Sequence, residues 1–451
     1  MADKGGRARG RLLFFPLPLQ GHITPMLQLA DIFQSKGFSI TIIHTKYNSP
    51  NPSNYPNFTF IPISDGLSEK ETSELSVFAL ASILNVNCLV PFKDCLSGLL
   101  SAESEVHITC LISDTVLHFT REVADSFKLP RFVLRTSCIG VFRAFAAIPL
   151  LREKGYLPIQ ASRLEEPVPE LSPLRVKDLP VINVPNEEMF YQLIAGLVEE
   201  ARTSSGVIFN SFEELEQSAI AAVRQEFPAP IFPVGPFHQY SPAASSILVK
   251  PDESSISWLD KQAPKSVIYV SFGSIAAVKE NEFLEIAWGL ANCKHTFLWV
   301  IRPGSVHGSK WLESLPSGFL DLLGVRGHIV KWAPQLEVLA HPAVGAFWTH
   351  NGWNSTLESI CAGVPMICMP CFTDQFVNAR YVTHVWKVGV QLENGLERKT
   401  IEEVIRRLME GEEGEEIRNR VEDFKEKAKF SLGGGSSYES LESLISCISS
   451  S

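Results

Sequence analysis

The stretch Trp332–Gln375 reads WAPQLEVLAHPAVGAFWTHNGWNSTLESICAGVPMICMPCFTDQ, and its punctuation decides the fold. The apolar run Ala343–Thr349 has the length and composition of a buried strand and stops at His350. Gly352 permits a tight turn, and Trp353, Asn354 and Ser355 then open a helix. Pro365–Met369 is a second buried strand. It ends at Pro370, and Asp374 and Gln375 open the helix that follows. Two strand–turn–helix units in succession belong to a parallel sheet covered by helices on both faces.

The same rhythm extends in both directions. Upstream, Ser266–Phe272 and Thr296–Ile301 read as strands around a helical Glu282–Leu290, with another strand near Ile329. An earlier series begins at Leu12–Pro16, followed by a helix over Ile23–Ser35 that Gly37 ends. Its further strands are Phe38–Ile43, Phe58–Ile61, Ile108–Ile112, Phe132–Leu134 and Val207–Phe209, with a helix over Val116–Phe127. Between the two series, Tyr240–Ser255 is rich in Ser, Pro and Ala and reads as a linker. The expected fold is α/β: two doubly wound, Rossmann-like domains facing each other across a cleft. The expected divisions are 1–239, a linker 240–255, 256–435, and a terminal helix 436–451 packing back on a domain surface. Ligands bind such sheets at the carboxyl ends of their strands.

Composition narrows the class. The 451 residues are 45% hydrophobic and 20% charged, the balance of a soluble globular chain, and the net charge of −10 disfavours nucleic acid or acidic membranes as partners. Residues 1–19 do not read as a signal peptide, and no uncharged apolar run reaches the roughly 20 residues of a membrane span. Nine scattered cysteines suit reduced thiols, so a cytoplasmic location is expected. A monomer is expected as well. Cys361, Cys368 and Cys371 lie close together, but no second C-x-x-C pair accompanies them. They read as buried strand residues rather than metal ligands.

The quoted stretch offers a nucleotide several contacts. Trp332 has a flat face to stack on a base. The N–H groups of the helix opened by Trp353 suit an anion, with His350, Asn354 and Ser355 as added donors. Glu358 can accept from ribose hydroxyls, and Asp374 beside Gln375 suits the hydroxyls of a hexose. Each residue also has a plain role, as a helix cap or a core aromatic. In the first half, His22 follows the first strand in Pro18-Leu19-Gln20-Gly21-His22, and Asp114 follows the strand Val106–Ile112. A parallel sheet brings both strand ends to one edge. The carboxylate can then hold the imidazole as a general base. The plain alternatives are a capping or packing histidine and a helix N-cap aspartate.

Residues 332–375 resemble the signature box of plant UDP-dependent glycosyltransferases of the GT-B fold along its whole length. The resemblance implies that Trp332 stacks on uracil, with Ala333 and Gln335 bordering the nucleoside and Glu358 on the ribose. His350, Asn354 and Ser355 would hold the phosphates with Ser274 of the Phe272-Gly273-Ser274 turn, and Trp353, Asp374 and Gln375 the sugar. A Gln at position 375 accompanies glucose in this family, so UDP-glucose is the expected co-substrate, with no cofactor. Asn351 departs from the family pattern, where Cys is commoner. The opening histidine motif makes His22 the catalytic base and Asp114 its partner, implying inversion by direct displacement. The Asp-x-Asp triplet of metal-dependent relatives is absent from the sequence, so no metal is expected.

Phe15–His22, Arg152–Leu157, Pro167–Leu179 and Gly235–Tyr240 look closest to enzymes acting on small plant signals: salicylate, branched 2-hydroxy acids and N-hydroxypipecolate. Sister enzymes glucosylate cytokinins on nitrogen or diterpenoid glycosides on sugar hydroxyls. Because some cytokinin enzymes lack the opening histidine, His22 favours an oxygen acceptor, and a small hydroxylated acid is the first choice. Expected lining residues are Phe78, Leu84, Thr136, Phe142, Phe145 and Ile194. Arg135, a cation at the end of an apolar strand, is the candidate clamp for a carboxylate. An oxidoreductase should carry G-x-G-x-x-G after a first strand, and neither half does. A noncatalytic nucleotide-sugar-binding protein would keep the box without needing His22 and Asp114.

Overall fold

The strands form because short β-branched and aromatic runs can bury both faces of a sheet. The computed structural model describes residues 9–450 except 69–74, 104–105, 182–186, 241–248, 307–310 and 394. Seven parallel strands make the first sheet: β1 (Arg11–Phe15), β2 (Ser39–Thr45), β3 (Phe58–Ile63), β4 (Ile108–Asp114), β5 (Arg131–Arg135), β6 (Gly206–Phe209) and β7 (Ile231–Pro233). Their order is β3-β2-β1-β4-β5-β6-β7. Six make the second: β8 (Val267–Ser271), β9 (Thr296–Val300), β10 (Gly327–Val330), β11 (Val344–Thr349), β12 (Met366–Cys368) and β13 (Gly389–Gln391), in the order β10-β9-β8-β11-β12-β13. In each sheet the order reverses beside the first strand, between β1 and β4 and between β8 and β11. That reversal opens the crevice in which such sheets bind ligands.

The alternation of side chains along each strand fills two cores per sheet. Leu13, Phe15, Leu111 and Val133 pack on one face of the first sheet. Leu12, Phe14, Ile112 and Leu134 pack on the other, under Ile23, Met26, Leu27 and Phe33 of the helix α1 (Gln20–Ser35). The bent helix pair Val77–Asn87 and Leu89–Ser101 buries Leu80, Leu84, Phe92 and Leu96 in the first of these cores. Among the described residues no single helix is long and apolar enough to cross a membrane.

The chain divides into two compact units, Met1–Leu157 with Ile182–Leu248 and Ser431–Ser451, and Pro158–Val181 with Val249–Phe430. One feature differs from the sequence reading: residues 158–181, expected in the first domain, belong with the second unit. There Arg380 Nε donates to the Pro173 carbonyl at 2.9 Å, and Arg175 pairs with Asp178. The terminal helix Ser436–Ser450 packs on the first unit, with Leu441, Leu444, Ile445 and Ile448 entering the Leu12–Phe14 core. Half of the expected linker, 241–248, lies outside the described residues, and Ser254 already begins a helix. The edge strands β7 and β13 were not expected. Each has three residues, one ending in Pro233 and the other starting at Gly389, too short for a periodic signal.

Candidate active site

In the first unit, β1 and β4 pair in parallel with Phe15 opposite Ser113, so Asp114 stands at the sheet edge where β1 ends. The helix α1 starts at Gln20, earlier than Ile23, and His22 therefore lies on its first turn. The His22 amide bonds to the Leu19 carbonyl. Nδ1 of His22 is 2.6 Å from Asp114 Oδ2. A carboxylate only accepts, so Nδ1 carries the proton and Nε2 keeps its lone pair. Asp114 is fully buried, and its Oδ1 takes the Val116 amide at 3.0 Å. Both carboxylate oxygens are thus engaged and the ring is held. The His22 side chain remains 22% exposed, so a substrate can reach it. The helix expected from Val116 starts at Thr120, after a turn, which removes the helix-cap reading of Asp114.

Thr136 Oγ1 lies 3.0 Å from the same Nδ1. Arg135 is buried rather than solvated, its guanidinium 5.3 Å from the Phe145 ring centroid and 3.4 Å from Thr115 Oγ1. Arg135 ends β5, and the loop that starts at Thr136 runs into the helix Ile139–Ala146. The buried Glu216 carboxylate accepts the Ile139 and Gly140 amides of that helix and so fixes its start. Of the other expected lining residues, Phe78 packs edge-on against Phe190, and Ile194 is buried on the helix Glu187–Thr203. Leu84 and Phe142 have no exposed surface. Phe142 packs against Phe209 and Phe227. Those two are core residues and line nothing open, a correction with a simple cause: apolar spacing does not distinguish a pocket wall from a core.

In the second unit the helix Trp353–Ala362 follows β11. Its N-cap, Gly352, makes no side-chain cap, and no acid occupies the first turn. Its terminal N–H groups keep their pull on an anion. The left-handed residue of the turn is Asn351, with φ of 61°, and not Gly352. Asn tolerates that conformation where most residues do not. Its Nδ2 donates to Cys368 Sγ, one of the clustered cysteines. Gly352 serves close approach instead. A Cβ there would lie 2.6 Å from His350 Nε2, and one on Gly273, across the turn after β8, would lie 2.5 Å from the same atom. Two glycines therefore sandwich the His350 ring. Burial lowers its pKa to about 4, with nearby Arg302 adding to the shift, so the ring is neutral at working pH. Ser274 is exposed in the Gly273 turn.

The nucleoside candidates also meet. Gln335 Nε2 donates to Ser355 Oγ at 2.9 Å and to Glu358 Oε2 at 2.7 Å, while its Oε1 accepts from Tyr269. Burial raises the Glu358 pKa to about 7, and the Gln335 amide pulls it back. Trp332 is half-buried beside buried Ala333. At the expected sugar pair, Gln375 is buried, its Oε1 accepting the Cys371 and Phe372 amides, which leaves Nε2 to donate. Asp374 accepts from Thr373, a branched residue held at φ of 46°. Such strain is stored where the surroundings fix it. Trp353 packs against Trp386. Sequence reasoning passed over Asn378, which donates to the Asn351 carbonyl and ties the two turn–helix units together. It also passed over Arg302. Arg302 carried the signal used for Arg135, a cation closing an apolar strand.

Comparison with known proteins identifies the family. The family described as UDP-glucoronosyl and UDP-glucosyl transferase matches residues 30–418. UDP-glycosyltransferase 76B1 of Arabidopsis thaliana is 52% identical over 438 residues, covering 97% of each chain. UDP-glycosyltransferase 76G1 of Stevia rebaudiana is 50% identical over 98% of each chain. The crystal structure of Medicago truncatula UGT71G1 complexed with UDP-glucose superposes with a TM-score of 0.81 at 26% identity, covering 100% of both chains. With two parallel Rossmann-like sheets in the GT-B manner, the chain belongs to the plant UDP-glycosyltransferases of the 76 family, enzymes of secondary metabolism that transfer a hexose from a UDP-sugar.

Proposed function

We propose that this enzyme is an inverting glucosyltransferase that moves glucose from UDP-glucose to a hydroxyl or carboxyl oxygen of a small hydroxylated carboxylic acid. The observation that carries the reading is the 2.6 Å bond between His22 Nδ1 and the buried Asp114 carboxylate. A hydroxyl is a poor nucleophile until its proton is removed. His22 Nε2 takes that proton as the oxygen attacks the anomeric carbon, and Asp114 stabilises the imidazolium that forms. UDP departs from the opposite face, so an α-linked donor gives a β-glucoside. Trp332, Ala333, Gln335 and Glu358 hold the nucleoside. His350, Asn354, Ser355 and Ser274 hold the diphosphate as its leaving charge grows. Trp353, Asp374 and Gln375 hold the sugar.

Arg135, one residue from Thr136 and in contact with Thr115 beside Asp114, supplies the cation for an acceptor carboxylate. Oxygen transfer is also the chemistry in the name of a relative, the flavonol 3-O-glucosyltransferase of Arabidopsis thaliana, 44% identical over 97% of this chain. The test is an acceptor screen with UDP-glucose, read by mass spectrometry. Phenolic acids, 2-hydroxy acids, N-hydroxypipecolate, cytokinins, flavonols and terpenoid glycosides belong in it, with methyl esters of the acids. Glucosides of the free acids are expected. Esters turned over as well as the acids would remove Arg135 from the reading. In His22→Ala, O-glucosylation should fall by about two to four orders of magnitude, and undiminished product would remove the mechanism.

A further inference from the structure

Arg302 follows β9 and carries no assigned role, yet its guanidinium reaches into the turn that bears Ser274. Nε donates to the Gly273 carbonyl at 3.1 Å, and Nη2 donates to the Ala276 carbonyl. Nη1 turns back to the Pro303 carbonyl, and Ser305 Oγ donates to the carbonyl of Arg302 itself. The side chain thus staples two turns, while the bridge between Val278 and Val306 joins the same two loops further on.

The staple sets a direction. In a trans peptide the C=O and the following N–H point opposite ways. Holding the Gly273 carbonyl on Arg302 therefore aims the Ser274 N–H away from the guanidinium. Gly273 has φ of 73° and lies against His350, so the turn has little freedom to answer otherwise. Charge adds to geometry. Among the described residues no carboxylate pairs with Arg302, which is half-buried and close enough to His350 to depress its titration. A guanidinium stays cationic in such a place. The neutral His350 and the uncapped start of the helix Trp353–Ala362 supply donors but no full charge. Arg302 supplies it.

We infer that Arg302 is a positioning residue for the diphosphate of the donor, setting the Ser274 turn against His350 and furnishing the positive charge that the diphosphate faces. The inference rests on the donor-site reading given above. It separates the two parts of the nucleotide: the nucleoside contacts at Trp332, Gln335 and Glu358 involve no bond to Arg302, so only ligands with phosphates should sense its loss.

The experiment is calorimetric titration of the full-length enzyme with UDP and with uridine, on wild type, Arg302→Gln and Arg302→Lys, each checked for an unchanged melting transition. Arg302→Gln should weaken UDP by about tenfold or more and leave uridine within about twofold. Arg302→Lys, which keeps the charge but cannot span two carbonyls, should fall between. It also serves if the glutamine variant does not fold. UDP affinity unchanged in the folded variants, or UDP and uridine weakened equally, would overturn the inference while leaving the donor site standing. A wild-type enzyme that binds neither ligand would overturn the donor-site reading itself.

Discussion

Asp114 never needs to meet the substrate to matter. Its two oxygens are spent on the His22 ring and on the Val116 amide, so the ring is fixed with its proton on the inner nitrogen. Asp114→Asn keeps the shape but can present an N–H where an acceptor is needed. Steady-state rates should show kcat reduced by about two to four orders of magnitude with KM for the donor little changed. Glu358 gives a second test. Burial lifts its pKa to about 7, above that of an unfolded glutamate, so the ligand-free protein favours the protonated form. The associated stability is complete below the unfolded pKa and lost as pH rises through about 7. Ribose hydroxyls donating to the carboxylate reverse that preference. Uridine, which has no phosphate to titrate, should therefore bind more weakly as pH falls from about 8 to about 6, by up to about tenfold per unit below the pKa. Glu358→Gln should flatten the profile. A wild-type profile as flat as the variant's would rule out an ionised Glu358 as the ribose acceptor.

At the scale of elements, each sheet places its candidate site residues where its order reverses. The turn after β1 and the end of β4 meet in the first sheet, and the turns after β8 and β11 meet in the second. Parallel pairing is what makes this possible, because it brings strand ends of distant sequence to one edge. The helix Trp353–Ala362 is built for an anion by omission, lacking both a side-chain cap and an early acid. The terminal helix Ser436–Ser450 works by packing. Leu444 is fully buried against the first sheet, so Leu444→Ala should cost about 2–5 kcal/mol in chemical denaturation. UDP affinity, which the proposed donor site assigns to the second unit, should survive in the folded fraction. A cost within about 0.5 kcal/mol, the range of surface substitutions, would mean that the helix does not hold the first unit together.

At the scale of the whole molecule, neither unit is one continuous stretch of chain. Residues 158–181 join the second unit and 431–451 return to the first. The first excursion is tied down by charge. Asp178, almost wholly buried, takes Arg175 in a two-pronged pair, and Arg380 lies 3.6 Å away. Arg380 ends the helix Asp374–Arg380, so the helix that opens with the proposed sugar pair is braced at its far end by chain from the middle of the sequence.

The sequence by itself determined the alternation of strands and helices and the two sheets, and it offered the stretch from Trp332 to Gln375, His22 and Asp114 as candidates. The strands and sheets are local facts of periodicity and punctuation; the candidates came from the residue types that follow a strand and from the family resemblance they carry. Tertiary structure alone decided that Asp114 reaches His22 rather than capping a helix, because that contact joins residues 92 apart. It also decided that Leu84 and Phe142 are core, that Gly352 yields to His350 while Asn351 takes the left-handed turn, and that Arg302 reaches back to Gly273. A side chain's partner depends on what the fold brings beside it, and sequence spacing carries no record of that.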